Sequence, residues 1–182
     1  MTEQDDFKLV RECLEGNPKA FELIIDKYQK PIFNIALRLI NDYEDAQDIT
    51  QSVFIKAFEN LDTFNPKYKF FSWIYRIVVN ESINFLNQRK HLEKLDKNFI
   101  SKEKTPEEHY YEIEMCERVQ DALMDLQIYY RTVIILRHFE DLSYREISYI
   151  LDTPEKTVKS RLFTARQLLR NILLKKGIVK HD

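Results

Sequence analysis

The sequence predicts an all-α protein built as two small helical domains. Three observations carry that expectation. Only two glycines and five prolines are spread over 182 residues, too few turn formers for a sheet-rich fold with many tight corners. Apolar residues recur at spacings of three and four wherever they can be phased. Helix caps punctuate the chain between those runs.

Phe7–Glu15 reads as a short helix closed by Gly16. Asn17 caps the next helix, with Pro18 at its first position, where a missing amide costs nothing; that helix is expected to reach about Gln29. Pro31 starts or kinks a further helix to Ile40, and Asp42 caps one from Tyr43 to about Asn60. Asp62 to Lys69, holding Asn65-Pro66, is a loop, and Phe70 to about Lys90 is a long helix. Residues 93–110 are charged and poor in large apolar groups, and read as a flexible linker. Helices resume from Tyr111 to about Asp125 and from Tyr129 to Phe139, and a two-helix motif follows. The tail beyond Gly177 is expected to fray. The expected division is 1–92, a linker at 93–110, and 111–182.

The two-helix motif is the most informative stretch. Ser143 and Glu146 have the spacing of a capping box, and Leu142 and Ile147 that of a hydrophobic staple. Ile147, Ile150 and Leu151 share one face; Asp152 and Thr153 break the run. Thr153 is a suitable cap, and Pro154 a suitable first residue, for a second helix. That helix is amphipathic. Val158, Leu162, Ala165, Leu169 and Ile172 form one stripe, with Lys156, Ser160, Phe163, Thr164 and Gln167 roughly opposite and Lys159, Arg161 and Arg166 on the flanks. Cations suit phosphates or guanine edges, hydroxyls suit either, and an apolar ring suits a thymine methyl. The pattern fits a helix-turn-helix that reads a DNA major groove. It also fits a helical hairpin with a solvated basic face.

Net charge is −2, which by itself does not point to nucleic acid. Its distribution is more telling. Residues 1–63 carry a net −6, 64–92 a net +4, 93–129 a net −5 and 130–182 a net +5, so two basic segments are separated by an acidic one. Residues 64–76 hold six aromatic side chains interleaved with Lys67, Lys69 and Arg76. That composition suits a platform for unpaired bases, and it equally suits core. Helical phasing places Phe70, Ile77, Val78 and Phe85 near Ile74 on the buried face. Glu81 interrupts that face and needs a partner, while Arg76, Asn80 and Asn87 form a polar line opposite. About half of the six aromatics are expected in the core.

Residues 45–58 read as an acidic amphipathic helix. Ile49, Val53 and a cluster at 54, 57 and 58 face inward; Asp45, Asp48, Gln51 and Ser52 face outward. DNA would repel such a face. It suits a basic protein partner, or simply solvent, with the acids favoured near the helix start.

Other classes are disfavoured. No apolar run approaches the roughly 18 residues that would suggest a membrane span, and Met-Thr-Glu-Gln-Asp-Asp is not the start of a signal peptide. Cys13 and Cys116 are far apart and His91, His109, His138 and His181 are scattered, so no metal-ligand spacing appears. There is no nucleophile constellation and no glycine-rich phosphate loop. No catalytic residue, metal or cofactor is expected, and lone thiols fit a reducing, cytoplasmic setting.

Taken together, the blocks resemble a bacterial RNA polymerase sigma factor of the extracytoplasmic-function group. The resemblance rests on Gly16-Asn-Pro-Lys-Ala-Phe21, Asp45-Ala-Gln-Asp-Ile-Thr-Gln-Ser-Val-Phe-Ile-Lys-Ala-Phe58 and Phe71-Ser-Trp-Ile-Tyr-Arg-Ile-Val-Val-Asn80. It continues in Arg131-Thr-Val-Ile-Ile-Leu-Arg137, Leu142-Ser-Tyr-Arg-Glu-Ile147 and Thr157-Val-Lys-Ser-Arg-Leu-Phe-Thr-Ala-Arg166. It implies a sigma-2 domain and a helix-turn-helix sigma-4 domain, without catalytic residues. It implies that Asp45, Asp48, Gln51 and Phe54 meet core RNA polymerase, at the clamp helices of the beta-prime subunit. It implies that the loop and helix matching 64–87 recognise and open the promoter minus-10 element, with Tyr68, Lys69, Trp73, Tyr75, Arg76, Asn80 and Asn87 as candidate contacts. It implies minus-35 readout by Arg137, Thr157, Lys159, Ser160, Phe163 and Arg166. An anti-sigma protein is an implied partner; direct membrane insertion is not.

The chain departs from the family at several positions. Gln47 and Ser52 stand where glutamate is common, Thr164 where arginine is common, and Asp141 where a glycine is common. The acidic blocks at 1–63 and 93–129 are expected to make the isolated chain a poor binder of promoter DNA. Two alternatives share parts of this pattern. A two-domain DNA-binding regulator requires neither the 45–58 face nor the aromatic block, and a pure protein adaptor requires no DNA contact.

Overall fold

A computed structural model describes residues 3–95 and 112–179. Among the described residues there is no strand, and no helix is long and apolar enough to cross a membrane. The first half holds α1 (Glu3–Leu14), α2 (Pro18–Ile40), α3 (Tyr43–Glu59), a short 3-10 turn (Leu61–Thr63) and α4 (Phe70–Leu95). The second holds α5 (Glu112–Met124), α6 (Ile128–Ile134), which continues as a π-helical turn through Ile135–Phe139, α7 (Tyr144–Ile150) and α8 (Glu155–Lys175). Most of the segment read as a linker lies outside the described residues; the exception is its first few residues, which extend α4.

Most boundaries follow the caps. The Asn17 side chain accepts from the Lys19 amide, and Asp42 accepts from the Asp45 amide. Two expectations need correction. Pro31 does not start a helix, and the helix from Pro18 does not end near Gln29, because α2 runs from Pro18 to Ile40 with Pro31 inside it. Proline removes one backbone bond there. Ile24, Tyr28, Ile32 and Ile35, all buried on both sides of it, outweigh that loss, since each buried side chain contributes about 1.5–3 kcal/mol. Nor does Thr153 cap α8. Its hydroxyl donates to the Leu151 carbonyl, and Pro154 takes the cap position with no side-chain hydrogen bond.

Packing of α1–α4 buries Ile24, Ile32, Ile35, Leu39, Phe70 and Ile74. Asp6 ties α1 to α2 through Lys27 and the Tyr28 hydroxyl. Glu81 finds the partner it needs across α3, in the Lys56 ammonium and the Ser52 hydroxyl. Leu123, Ile135, Leu136, Ile147, Ile150 and Leu162 fill the second half.

The halves touch along two seams. The end of α2 meets α5 and α6, and α4 meets α7. At the first seam the Arg131 guanidinium, 6% exposed, donates to the carbonyls of Leu123, Met124 and Leu126 at the end of α5 and of Leu39 near the end of α2. Carbonyls at helix C-termini lack intrahelical donors and carry partial negative charge, so one cation serves both ends. Gln120 adds a bond to the Arg38 carbonyl.

Candidate nucleic-acid and polymerase interfaces

Helix α3 presents Asp48 and Gln51 to solvent. Asp45 is partly covered and pairs with Arg89 of α4 at 3.3 Å. Phe54 is buried, with its ring edge-on to Phe21 at 6.5 Å, so it braces the face from behind. Phe58 was expected inside and is 53% exposed; with Ile55, 59% exposed, it extends the face of Asp48 and Gln51 with apolar surface. A shallow groove between α2 and α3, lined by Gln29, Lys30, Phe33, Tyr43, Gln47 and Gln51, continues it. The one-turn offset of Ile55 from Gln51 was readable in the sequence, but neither Ile55 nor Phe58 stood out as a surface residue.

The aromatic block divides as composition alone could not decide. Phe64, Phe70 and Trp73 pack ring against ring with centroids 5.3–5.8 Å apart. Trp73 therefore belongs to the core, only 8% exposed. Tyr75 is buried as well. Its hydroxyl donates to Glu140 at 3.3 Å, and burial, then the Glu140 carboxylate, push its ionisation well above the usual phenol range. Tyr68, Lys69 and Arg76 lie on the outer side of this block, and Asn80 and Asn87 are exposed further along α4.

Four of these candidates are engaged by the second half. The Tyr68 ring stacks on Tyr149 with centroids 4.0 Å apart and planes 22° apart. Arg76 meets the Asp152 carboxylate at 3.2 Å and the Tyr149 carbonyl at 3.4 Å, and lies over the Tyr149 ring. Lys69 meets Glu146 at 3.1 Å, and Tyr75 meets Glu140. Burial alone would raise the Glu146 pKa. The Ser143 amide and hydroxyl, together with the Lys69 ammonium, outweigh burial and hold it below its ordinary value.

In the second half, Ser143 and Glu146 form the capping box in both directions. Both turns of the motif use an aspartate in left-handed backbone, Asp141 at φ 49 and Asp152 at φ 49, a conformation short polar side chains tolerate better than most. Val158, Leu162 and Ala165 are buried beneath α8, while Leu169 and Ile172 are only partly covered. Thr157, Lys159, Ser160, Phe163 and Arg166 are all exposed on its outer side, with Phe163 at 67%. Ser160 donates to the Thr157 carbonyl and Thr164 to the Ser160 carbonyl, leaving their oxygens as acceptors. Neighbours orient the cations. Lys159 and Arg137 both lie 5.5 Å from the centre of the Tyr144 ring, Arg137 also donates to the Leu142 carbonyl, and Arg166 donates to His138 at 3.1 Å.

The π-helical turn places Arg137 and His138. The Glu140 amide bonds back to the Ile135 carbonyl, so one extra residue enters the turn; Arg137 there lies over the Tyr144 ring of α7 and His138 meets Arg166 of α8. The outer side of α8 is thus basic and carries an exposed aromatic ring, while much of the basic, aromatic face beside α4 is met by the second half. Among the described residues no cluster of three metal-ligating side chains occurs.

Comparison with known proteins agrees with this layout. Family models for sigma-70 region 2 and sigma-70 region 4 match residues 24–92 and 116–169. The extracytoplasmic-function (ECF) RNA polymerase sigma factor SigW of Bacillus subtilis is 32% identical over 178 residues, covering 91% of this chain and 95% of the relative. The ECF sigma-E factor of Escherichia coli is 35% identical over 184 residues, covering 94% and 96%. Two solved structures share the fold at 24% identity. CnrH, in complex with the cytosolic domain of CnrY, matches with a TM-score of 0.71 over 93% of this chain and 97% of that one. RpoE of Bartonella quintana, in complex with the anti-sigma factor NepR, matches with a TM-score of 0.73 over 85% and 97%. Sigma-70 regions 2 and 4 mediate promoter recognition and transcription initiation. The chain belongs to the RNA polymerase sigma factors of the sigma-70 family, in the extracytoplasmic-function group.

Proposed function

We propose that α3 holds core polymerase while α4 and α8 contact two separate promoter elements. Residues 1–92 form the domain that binds core and opens the minus-10 element. Residues 111–182 form the domain that reads minus-35, and 93–110 join them. On α3, Asp48 and Gln51, with Asp45 beside them and Phe54 beneath, face the clamp helices of the beta-prime subunit, where acidic and polar groups suit a basic helical partner. The exposed outer side of α8 carries the reading most directly. Thr157, Lys159, Ser160, Phe163 and Arg166 supply phosphate contacts, base-edge contacts and an apolar contact in one major-groove footprint.

On α4 and the loop before it, Tyr68, Lys69, Arg76, Asn80 and Asn87 face the opened strand. Tyr75 joins them once the second domain withdraws, and Trp73 supports them from the core. Unpairing a base costs a few kcal/mol, offset by stacking and by cation contacts to the backbone. The chain contributes no catalysis of its own; the polymerase supplies the chemistry. It acts in the cytoplasm, and an anti-sigma protein is a fitting partner, since one solved neighbour is bound to an anti-sigma factor.

Co-purification with core polymerase tests the assignment of α3. Asp48→Arg reverses an exposed charge without touching the core of the fold. We expect the variant to fold normally and to lose core binding. Normal recovery of polymerase by this variant would remove α3 from the interface.

A further inference from the structure

Helix α8 carries a cation on the edge away from Lys159. Lys159 and Arg161 are two residues apart, so their side chains leave the helix about 160° apart, with Ser160 between them. Lys159 turns to the Tyr144 ring, on the side where Arg137 and Arg166 also lie. Arg161 turns the other way, toward the start of α6, where its guanidinium lies 5.7 Å from the centre of the Tyr129 ring. An open cleft of about 330 Å³ lies there, lined by Gln127, Tyr129 and Tyr130 and by the stretch of α8 from Thr157 to Thr164. No carboxylate lines it. Among the described residues the Arg161 guanidinium has neither an ion pair nor a hydrogen bond, and the Tyr129 hydroxyl and the Gln127 side-chain amide make no hydrogen bond either. The Ser160 and Thr164 hydroxyls are spent on helix carbonyls. A guanidinium lying over a ring still offers its in-plane N–H edge to a bidentate acceptor. The cleft thus gathers three kinds of donor and no negative charge, which suits an anion.

A helix lying in a major groove has a phosphate backbone along each edge, since the two strands form the groove walls. The edge with Lys159, Arg137 and Arg166 serves one strand. We propose that Arg161, Tyr129 and Gln127 form a second phosphate site, which takes a backbone phosphate of the opposite strand, so that the duplex is held across α8 from both walls. The assignment rests on α8 being the duplex-reading helix. Two features favour a duplex phosphate over a free anion. The cleft is open and flanks Ser160, which points between the two cationic edges. One guanidinium and two neutral donors are few for capturing a free anion from water, whereas a phosphate brought in by a duplex already seated on α8 arrives at high effective concentration. Contacts to both strands carry no base code of their own; they fix the angle at which Ser160 and Phe163 meet the base edges.

The test uses the holoenzyme and a duplex spanning a promoter mapped by start-site sequencing. Arg161→Gln removes the charge, Arg161→Lys keeps it, Tyr129→Phe removes only a hydroxyl from a side chain 57% exposed, and Lys159→Ala reports the other edge. Anisotropy across a salt series reads affinity and its slope. A set of duplexes, each with one methylphosphonate, reads which phosphates matter. We expect Arg161→Gln to weaken binding about fivefold, the contribution of one partly exposed charged pair, and to lower the salt slope by about 1. Arg161→Lys should keep the slope, and Tyr129→Phe should cause a smaller loss without changing it. Arg161→Gln should become indifferent to a methylphosphonate on one strand, and Lys159→Ala to one on the opposite strand. A structural role for Arg161 would leave both sensitivities in place. An unchanged slope in Arg161→Gln beside a reduced slope in Lys159→Ala, or indifference of both variants on the same strand, overturns the second site alone. If neither variant alters binding, α8 is not the duplex-reading helix and the site falls with it. Inorganic phosphate, exchanged for chloride at constant ionic strength, should displace the duplex equally from wild type and Arg161→Gln. Displacement from the wild type only would assign the cleft to free phosphate and overturn the proposal.

Discussion

Arg131 donates to the carbonyl of Leu39, 92 positions earlier in the chain, from a guanidinium that also serves three carbonyls at the end of α5. Burial lowers its pKa, and the nearby Asp125 carboxylate works against that shift. The side chain is therefore a structural cation, satisfied by helix ends in both halves of the molecule.

Removing it should be costly. Arg131→Met keeps the apolar length but leaves four carbonyls without this donor. Hydrogen bonds to a charged group contribute about 1.5–3 kcal/mol each in favourable cases, though not additively. We expect a loss of about 3 kcal/mol and a clear drop in Tm by calorimetry. A change below about 0.5 kcal/mol, typical of unimportant surface positions, would contradict this role.

Lys159→Ala should weaken duplex binding and reduce the slope of log affinity against log salt by about 1, as expected for one lost phosphate contact. The Tyr144 ring holds Lys159 in place, so Tyr144→Leu should produce a smaller loss of the same kind. Salt titrations by anisotropy on a promoter duplex, with the holoenzyme, distinguish this from an unfolded domain, which would abolish binding at every salt concentration.

His138 gives the contact between the π-helical turn and α8 a pH dependence. Burial, and then the charges of Arg166 and Arg137, hold its imidazole below the ordinary value of 6.5. The neutral ring accepts from Arg166. Since the folded pKa is depressed, the unfolded chain takes up a proton first as pH falls below about 6.5, and the associated stability is lost as pH drops through the folded value. His138→Gln should flatten the decline in Tm between about pH 7 and pH 5. Glu146 contributes in the same direction only at lower pH, because its carboxyl is held below 4.5. A variant profile that tracks the wild type would contradict the assignment.

Much of this was legible in the sequence because it is local. Asn17, Asp42 and the Ser143–Glu146 box act within a few residues of themselves, and their caps stand as spacing predicts. The inward stripe of α8 and the need of Glu81 for a partner are likewise matters of helical phase. Pro31 misled because burial on both sides of it is a tertiary quantity. Phe58 misled because the edge of a helix face cannot be told from its centre by period alone. Trp73, Tyr75 and Phe54 read as candidate contacts, and their burial depends on what packs over them. Arg131 stood within a matched block, but its role needs the end of α2, brought beside it only by the fold. The same holds for Tyr149 and Asp152, whose partners on α4 lie more than seventy residues away.

Run-off transcription with purified core polymerase, followed by sequencing of start sites, measures whether this chain confers promoter specificity on the polymerase. Core alone should be silent at the promoters this chain serves, and adding the chain should yield defined starts. Arg76→Ala should reduce strand opening at minus-10, and Lys159→Ala should reduce recruitment at minus-35. No promoter-specific product from core plus wild-type chain, on a library that contains the genomic promoters, would contradict that specificity.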